Sequence, residues 1–208
     1  MKTIAPFFLA LLSLQSVFGQ TEWGIHTGGG ISDIVLVNEP DVTGISFSDE
    51  EYQPKPSVLI GIYSSFSLFS KTNLVAGLQY TNKGARIDNS FGSTSQLNLH
   101  YVSIPVLVRY HPFNQWFIEV GPEIARLIAS GSGSNTFDWY EPFDIGINGG
   151  LGYHFSEKWS TALRYYLGLS NVWTDLQLTD TQGNLIDHDM KLQNRFMQLS
   201  LIRSMGTF

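Results

Sequence analysis

Apolar and polar residues alternate with a period of two over residues 143–155. Large apolar side chains occupy the odd positions except Gly149, and the even positions carry polar residues or glycine. The alternation resumes over 159–167, after the polar segment 156–158. A period of two is that of a β-strand, so this stretch predicts an antiparallel hairpin with one apolar and one polar face.

The same period recurs along the chain and predicts eight strands. They are placed at residues 22–32, 57–68, 73–85, 96–110, 115–128, 143–155, 159–170 and 192–204. The connections alternate in length, with long ones at 33–56, 86–95, 129–142 and 171–191 and short ones at 69–72, 111–114 and 156–158. Short turns at one rim and long loops at the other are typical of outer-membrane barrels. The pattern therefore predicts an all-β fold, an eight-stranded antiparallel up-and-down transmembrane β-barrel with short periplasmic turns and long extracellular loops.

One face of each predicted strand is apolar along its length. The third, fourth, fifth and eighth strands show this most clearly, with the side chains Leu74, Ala76, Leu78, Tyr80, Val102, Ile104, Val106, Val108, Tyr110, Trp116, Ile118, Val120, Ile124, Met197, Leu199 and Leu201. Such stripes can cover a membrane band about 25 Å tall. Aromatic residues lie near the strand ends, with Phe113, Trp116, Phe155 and Trp159 at the short-turn rim and Tyr80, Trp139, Phe143 and Trp173 toward the long loops. They are interpreted as two girdles at the membrane interfaces.

The opposite faces of the strands carry charged and polar side chains. We expect seven of them to point into the lumen: Lys83, Arg109, Glu119, Glu123, Asp144, His154 and Arg164. Eight strands enclose an interior just wide enough for side chains to fill. Charges of both signs would have to pair there, because an unpaired buried charge is costly. The sequence thus predicts a plugged barrel rather than a pore.

The N-terminus and the composition fit export to a membrane. Residues 1–19 combine a basic start, a short apolar run and a small-residue cleavage site, which predicts a signal peptide followed by one domain at 20–208. Cysteine is absent, and charged residues make up 14% of the chain, against about 25% in ordinary soluble domains. The net charge of −6 disfavours nucleic acid as a partner. The expected location is the outer membrane.

Motifs of enzyme chemistry are missing from the sequence. It has no GxSxG, HExxH, Walker or GxGxxG motif, so no catalytic residue, cofactor or metal site is predicted. His100 and His154 are expected to form hydrogen bonds in the lumen. Asp187-His188-Asp189 and the acidic residues of the first long loop are expected to be solvated rather than to bind calcium. Residues 175–185 predict a hairpin in the last long loop.

Two arginines, Arg126 and Arg195, face outward by parity near the long-loop rim. Each is expected either to contact lipopolysaccharide phosphates or to extend to water as an interfacial residue. The expected partners are therefore outer-membrane lipid and lipopolysaccharide. A surface or secretion-system protein is a further expected partner.

Six sequence blocks, in order along strands three to eight, carry a resemblance to a known family. They are residues 78–84, 101–107, 119–122, 150–153, 164–171 and 194–201 without 196–197. With these blocks the chain resembles the porin-like outer-membrane β-barrel family common in Bacteroidetes, which includes PorT-type barrels associated with secretion. The resemblance implies a barrel and no particular substrate. Two departures are residues 202–208, which follow the last block and place Phe208 out of phase with Leu199, and Gly28-Gly29-Gly30, where a bulge or bend is expected.

Two functions of different classes are consistent with this pattern. The first is a non-enzymatic outer-membrane barrel with a closed polar lumen that serves membrane structure, surface interaction or secretion. The alternative is a secreted lipocalin-like barrel that binds a small apolar ligand. The alternative requires the reverse polarity, with aliphatic side chains inside and charges outside. The positions of Arg109, Glu119, Glu123 and Arg164 distinguish the two.

Overall fold

The computed structural model describes residues 21–37, 50–89, 94–131, 140–173, 178–179, 185–186 and 191–207. It contains thirteen strands in this part of the chain. They are β1 (Thr21–Val37), β2 (Glu50–Gln53), β3 (Lys55–Phe69), β4 (Thr72–Lys83), β5 (Arg86–Asn89), β6 (Thr94–Gln96), β7 (Leu99–Tyr110), β8 (Trp116–Ser130), β9 (Phe143–His154), β10 (Trp159–Gly168), β11 (Leu178–Thr179), β12 (Leu185–Ile186) and β13 (Lys191–Thr207). None of the described residues forms a helix that is long and apolar enough to cross a membrane.

Eight of these strands close into a barrel. Each is paired antiparallel with its neighbours in the order β1-β3-β4-β7-β8-β9-β10-β13, and β13 pairs with β1 to close the wall. Neighbours in the wall are thus neighbours along the chain, which is the up-and-down topology. The predicted fold and the eight predicted strands are confirmed.

Short strands extend from the barrel at its long-loop rim. β2, β5 and β6 form a three-stranded sheet that joins the first two long loops. β11 pairs with β12, with Leu178 opposite Ile186, which confirms the paired strands of the hairpin predicted in the last loop. Several predicted features lie outside the described residues: the hairpin turn near Gln182-Gly183, the segment Asp187-His188-Asp189, the signal peptide, Trp139 and Phe208.

The glycines of β1 do not form the bulge that the sequence predicts. Gly28, Gly29 and Gly30 pair in regular register with β13, and the register shift lies instead between Trp23 and Gly24. A Cβ added to Gly28 would lie 2.2 Å from the Leu199 carbonyl oxygen, and one added to Gly30 would lie 1.9 Å from that of Met197. Glycine is required here because the backbones of β1 and β13 approach closely.

The two faces of the wall differ sharply in chemistry. Outward aliphatic side chains are exposed to the surroundings, with exposed fractions of 58% for Val58, 60% for Ile60 and 58% for Leu199. The interior instead holds buried charged and amide side chains. This polarity is the reverse of that of a lipocalin, so the secreted ligand-binding alternative is wrong. An apolar outer face is stable only against an apolar medium.

Large interior side chains fit because glycines face them. Phe117 is fully buried and lies directly opposite Gly152 on β9. A Cβ added to Gly152 would lie 2.0 Å from Cζ of the Phe117 ring. The same relation holds between Gly146 and the ring of Tyr166, at 2.5 Å. The glycines at even positions of β9 thus provide the space for aromatic and charged side chains within a narrow barrel.

Candidate functional site

Two groups of buried ionic side chains lie inside the barrel at different depths. The lower group, nearer the short turns, consists of Arg109, Glu119 and Arg164. The Nε and Nη2 atoms of Arg109 lie 3.0 and 2.9 Å from Oε2 of Glu119, and Nε of Arg164 donates to Oε1 of the same carboxylate. Strand register produces this arrangement, because Arg109 lies opposite Glu119 and Gly150 separates Glu119 from Arg164.

The upper group, nearer the long loops, consists of Lys83, Glu123 and Asp144. The Lys83 Nζ lies 3.3 Å from Oε1 of Glu123 and 3.1 Å from Oδ2 of Asp144. It also lies 3.4 Å from the centroid of the Tyr166 ring, a cation–π contact in a desolvated site. The side chains of Lys83, Glu123 and Asp144 are only 1%, 1% and 3% exposed.

Three amide side chains complete the hydrogen bonding of the upper carboxylates. Gln79 and Asn148 donate to Oε2 of Glu123 at 3.1 and 2.6 Å. Asn194 donates to Oδ2 of Asp144 at 2.9 Å. These amides are absent from the predicted set of lumen residues. Their inward parity is the signal that would have found them, since Asn148 occupies one of the even positions of the 143–155 pattern.

The six charged residues balance one another in sign. The lower group has two cations, Arg109 and Arg164, and one anion, Glu119. The upper group has one cation, Lys83, and two anions, Glu123 and Asp144. The lower group therefore carries one net positive charge and the upper group one net negative charge. Charges can stay ionised in a low-dielectric interior only when they are paired and hydrogen-bonded. The structure brings together six of the seven predicted lumen residues, and the seventh, His154, lies apart from them.

His154 lies at the short-turn rim. Its ring is stacked on that of His111 at 5.6 Å and tilted on that of Phe117 at 4.9 Å. A shallow depression beside the two histidines is lined by Asn114, Gln115, Phe155, Ser156 and Glu157. His111 belongs to a turn outside the wall, where burial and then the charge of Arg109 lower its pKa from the ordinary value. Within the described chain, no three His, Asp or Glu side chains are grouped so that they could hold a metal ion.

An apolar cluster lies between the upper ionic group and the long loops. This rim cluster consists of the buried residues Ile34, Ala85, Leu97, Leu99, Tyr101, Ala125, Leu127, Tyr140, Val172 and Leu192. Tyr101 joins the two layers, since its ring lies 5.4 Å from the Lys83 Nζ and its hydroxyl accepts from Asn194 at 3.4 Å. Tyr52 of β2 and Ile87 of β5 pack against the cluster from the three-stranded sheet.

The ionic interior is connected to the bases of the long loops. The Ser170 hydroxyl, just after β10, donates to Oδ1 of Asp144 at 3.1 Å and accepts from the Ile145 amide at 2.8 Å. The side-chain oxygen of Asn171 accepts from the Leu192 amide at 3.0 Å. Lys83 itself is the last residue of β4. The bases of the second, third and fourth long loops are therefore held by one set of contacts.

The described aromatic residues that were assigned to the girdles lie near one rim or the other. At the short turns, Trp116 packs on Tyr153 at 4.9 Å, Trp159 lies 5.2 Å from the Arg203 guanidinium, and Phe155 is exposed. At the long-loop rim, Trp173 is half-buried against the rim cluster, with its ring 4.9 Å from that of Tyr140.

His100 does not face the lumen as the sequence predicts. Its Nδ1 lies 2.6 Å from the hydroxyl of Tyr80, and the two rings stack at 5.9 Å on the outer face of β4 and β7. The alternation along β7 explains this, because the buried residues are the odd-numbered ones.

The two outward arginines differ in their surroundings. Nη1 of Arg195 donates to the Gly168 carbonyl at 2.7 Å, and Nη2 donates to Oε1 of Gln193 at 3.1 Å. Arg126 is exposed, and its guanidinium contacts no hydrogen-bond acceptor in the described part of the chain. Arg195 is thus held against the barrel wall, whereas Arg126 is exposed.

Comparisons with known proteins identify the family to which the sequence is similar. Residues 15–173 match the outer membrane protein beta-barrel domain family. Similar solved structures include Neisserial surface protein A, with 9% identity, 87% of this chain and 96% of that chain covered and a TM-score of 0.47. OprG from Pseudomonas aeruginosa has 11% identity, coverages of 88% and 94% and a TM-score of 0.46. No curated protein matches the sequence.

The family match covers more than half of the chain and includes seven of the eight barrel strands in whole. The apolar outer face agrees with it, because a membrane supplies the apolar medium that such a face requires. This protein belongs to the outer membrane protein beta-barrel domain family and is located in the outer membrane.

Proposed function

We propose that this chain is a non-enzymatic barrel with a closed lumen, which fixes its long loops at the cell surface for interaction with other molecules. The observation that carries the proposal is the filled interior. Two layers of ionic side chains and the rim cluster occupy the same narrow barrel. Eight strands leave little space beyond that needed for such side chains.

Surface interaction is the role that best uses this construction. Loops become binding elements when a rigid scaffold positions them. Here Asp144 holds Ser170, and the rim cluster holds Tyr52 and Ile87 of the loop sheet. The interior contacts thus reduce the freedom of the loop bases, which lowers the entropy cost of binding a surface partner. Outer-membrane lipid and lipopolysaccharide are the proposed partners of the wall itself.

Support of a secretion system is the second candidate function. The sequence blocks that resemble PorT-type barrels contain Lys83, Glu119, Arg164 and Asn194. All four belong to the interior contacts described above. The resemblance therefore extends to the residues that close the lumen. Deletion of the chain should then reduce the amount of exported protein, and unchanged export in a deletion strain would favour surface interaction alone.

Conductance measurements on the full-length protein test the closed lumen. The purified protein is reconstituted in planar lipid bilayers after gel electrophoresis has shown a heat-modifiable folded band. We expect no conductance steps from the wild type. Steady ion conductance by the folded wild type would contradict the proposal.

The non-enzymatic part of the proposal has its own test. His154 and His111 are the paired titratable side chains beside the depression at the short-turn rim, so an enzyme would be expected to depend on them. A hydrolytic activity that copurifies with the folded band and disappears in His154→Gln would contradict the proposal.

A further inference from the structure

The outer face of the barrel carries a polar group near the long-loop rim, where aliphatic residues would suffice. We propose that Arg126, assisted by His100 and Tyr80, binds a phosphate group of lipopolysaccharide in the outer leaflet. This inference rests on the orientation in the proposed function, with the long loops outside the cell. It deepens the proposed partnership between the wall and lipopolysaccharide by naming the residues and the chemical group that they bind, and it is separate from the interaction proposed for the loops.

Strand register brings these three residues together. Tyr80 on β4 lies opposite Val102 on β7, and Val102 lies opposite Arg126 on β8. His100 is two residues from Val102 toward the long-loop rim, and it is therefore the diagonal neighbour of both Tyr80 and Arg126. Diagonal neighbours on one face of an antiparallel sheet are about 7–8 Å apart, within reach of long side chains. The flexible stem of Arg126 can direct its guanidinium toward His100 and the interface.

The donors in this group match a phosphate. A guanidinium presents several N–H groups in a fork that suits phosphate oxygens. The Nδ1 atom of His100 shares a 2.6 Å hydrogen bond with the Tyr80 hydroxyl, and the stacking of the two rings also holds His100 in one orientation. When the Tyr80 hydroxyl is the donor, the ring proton of His100 is on Nε2 and can be donated to a second group. The site thus offers one guanidinium fork and one oriented imidazole.

The surroundings of Arg126 suit a lipid rather than a soluble anion. Ile124, Ile128 and Phe143 are outward neighbours of Arg126, with exposed fractions of 53%, 49% and 51%. Phe143 lies directly opposite Arg126 on β9. Apolar side chains around a cationic group match the acyl chains and the phosphate of one amphipathic molecule. A free phosphate ion would contact the guanidinium but would gain nothing from these aliphatic neighbours.

Arg195 is a second outward arginine near the long-loop rim, but it is not proposed to bind phosphate. Its guanidinium donors are used by the Gly168 carbonyl and by Gln193. Its interactions are therefore supplied within the wall, whereas Arg126 is exposed and no described residue accepts from its guanidinium. Arg203 is an outward arginine at the opposite rim, beside Trp159. Since that rim faces the periplasmic leaflet, Arg203 provides a matched control with the same chemistry and the wrong location.

The test measures how much lipopolysaccharide stays bound to the folded full-length barrel. Wild type, Arg126→Gln and Arg203→Gln are purified in detergent, mixed with defined lipopolysaccharide and analysed by native mass spectrometry. We expect Arg126→Gln to lower retention roughly tenfold, the effect of losing one charge-assisted contact to phosphate. Arg203→Gln should retain as much as wild type. Equal retention by wild type and Arg126→Gln, or an equal loss in both variants, would overturn the proposal.

Two further arms identify the ligand and the role of Tyr80. Dephosphorylated lipopolysaccharide should bind wild type and Arg126→Gln equally, and a persisting difference would show that phosphate is not the group recognised. Inorganic phosphate should not displace the glycolipid, and displacement would assign the site to a free anion instead. Tyr80→Phe keeps the stacked ring but loses the hydroxyl, so it should lower retention about threefold. Conductance of Arg126→Gln should equal that of wild type, which separates this test from that of the closed lumen.

Discussion

Glu119 is the residue on which the lower half of the interior depends. Its two carboxylate oxygens each accept from a different arginine, Arg109 and Arg164. No other carboxylate in the described chain forms an ion pair with either arginine. The upper group depends on Lys83 in the same way, because its ammonium pairs with two carboxylates. Those carboxylates, however, also accept hydrogen bonds from amide side chains. Loss of Glu119 would leave two like charges close together in a medium of low dielectric.

The substitution Glu119→Gln tests this dependence. It preserves the volume of the side chain but removes the negative charge, so we expect the free energy of unfolding to fall by about 3–5 kcal/mol. The measurement is urea unfolding in lipid vesicles, followed by tryptophan fluorescence. Glu157→Gln in the exposed turn at 156–158 is the control and should change stability by no more than about 0.5 kcal/mol. Similar unfolding curves for the two variants would show that Glu119 does not hold the arginines.

Inside β9, the pattern of glycines sets which neighbouring side chains can be large. Gly152 faces the ring of Phe117, whereas Gly149 faces outward, with no atom within 4 Å of an added Cβ. Gly152→Ala should therefore destabilise the barrel by about 1–3 kcal/mol through overpacking. Gly149→Ala, in the same strand and with the same change in composition, should leave stability near that of wild type. Heat-modifiability midpoints on gels would measure both, and equal midpoints would contradict the packing argument.

Strands of ten residues or more could be predicted from their alternation, whereas of the shorter strands only the β11–β12 hairpin was predicted. In each barrel strand, apolar and polar residues alternate over enough positions for a period of two to be recognised. The polar turns between these strands are equally clear in the sequence. β2, β5 and β6 are three or four residues long, which is too short for a period to be recognised. Their position depends on pairing between two distant loops. The close approach at Gly28 and Gly30 likewise depends on β13, which is remote in sequence.

Across the whole barrel, an odd or even position along a strand predicts whether a side chain faces the lumen or the membrane. This position is a more reliable guide than the residue type. The charged lumen residues were predictable because a charge on an outward stripe would have broken an apolar pattern. Asn148 and Gln79 were missed because amides carry no such penalty and occur on either face. His100 was misplaced because its polarity was given more weight than its even-numbered position, which it shares with the outward residues Val102 and Ile104. The pairing of specific donors and acceptors requires the register of the wall, which the sequence alone does not contain.

If the whole barrel is embedded in the membrane, a charged side chain at the centre of its apolar band should destabilise it. Leu163 lies midway along β10, is 51% exposed and has the outward residues Leu151 and Leu199 on either side. Leu163→Arg should reduce the stability of the inserted barrel by about 2–4 kcal/mol, because the guanidinium cannot reach water from the midplane without distorting the bilayer. Val106→Arg on the outer face of β7 should behave in the same way.

The control places the same arginine where water is accessible. Asn114→Arg changes an exposed residue of the short turn between β7 and β8, so its folded fraction should match that of wild type. Folding is measured as the heat-modifiable fraction recovered in outer membranes of expressing cells. If Leu163→Arg and Asn114→Arg were recovered equally in that fraction, the outward stripe would not be in contact with lipid. A selective loss of Leu163→Arg and Val106→Arg would instead locate the hydrocarbon core at this level of the wall, between the two aromatic rims.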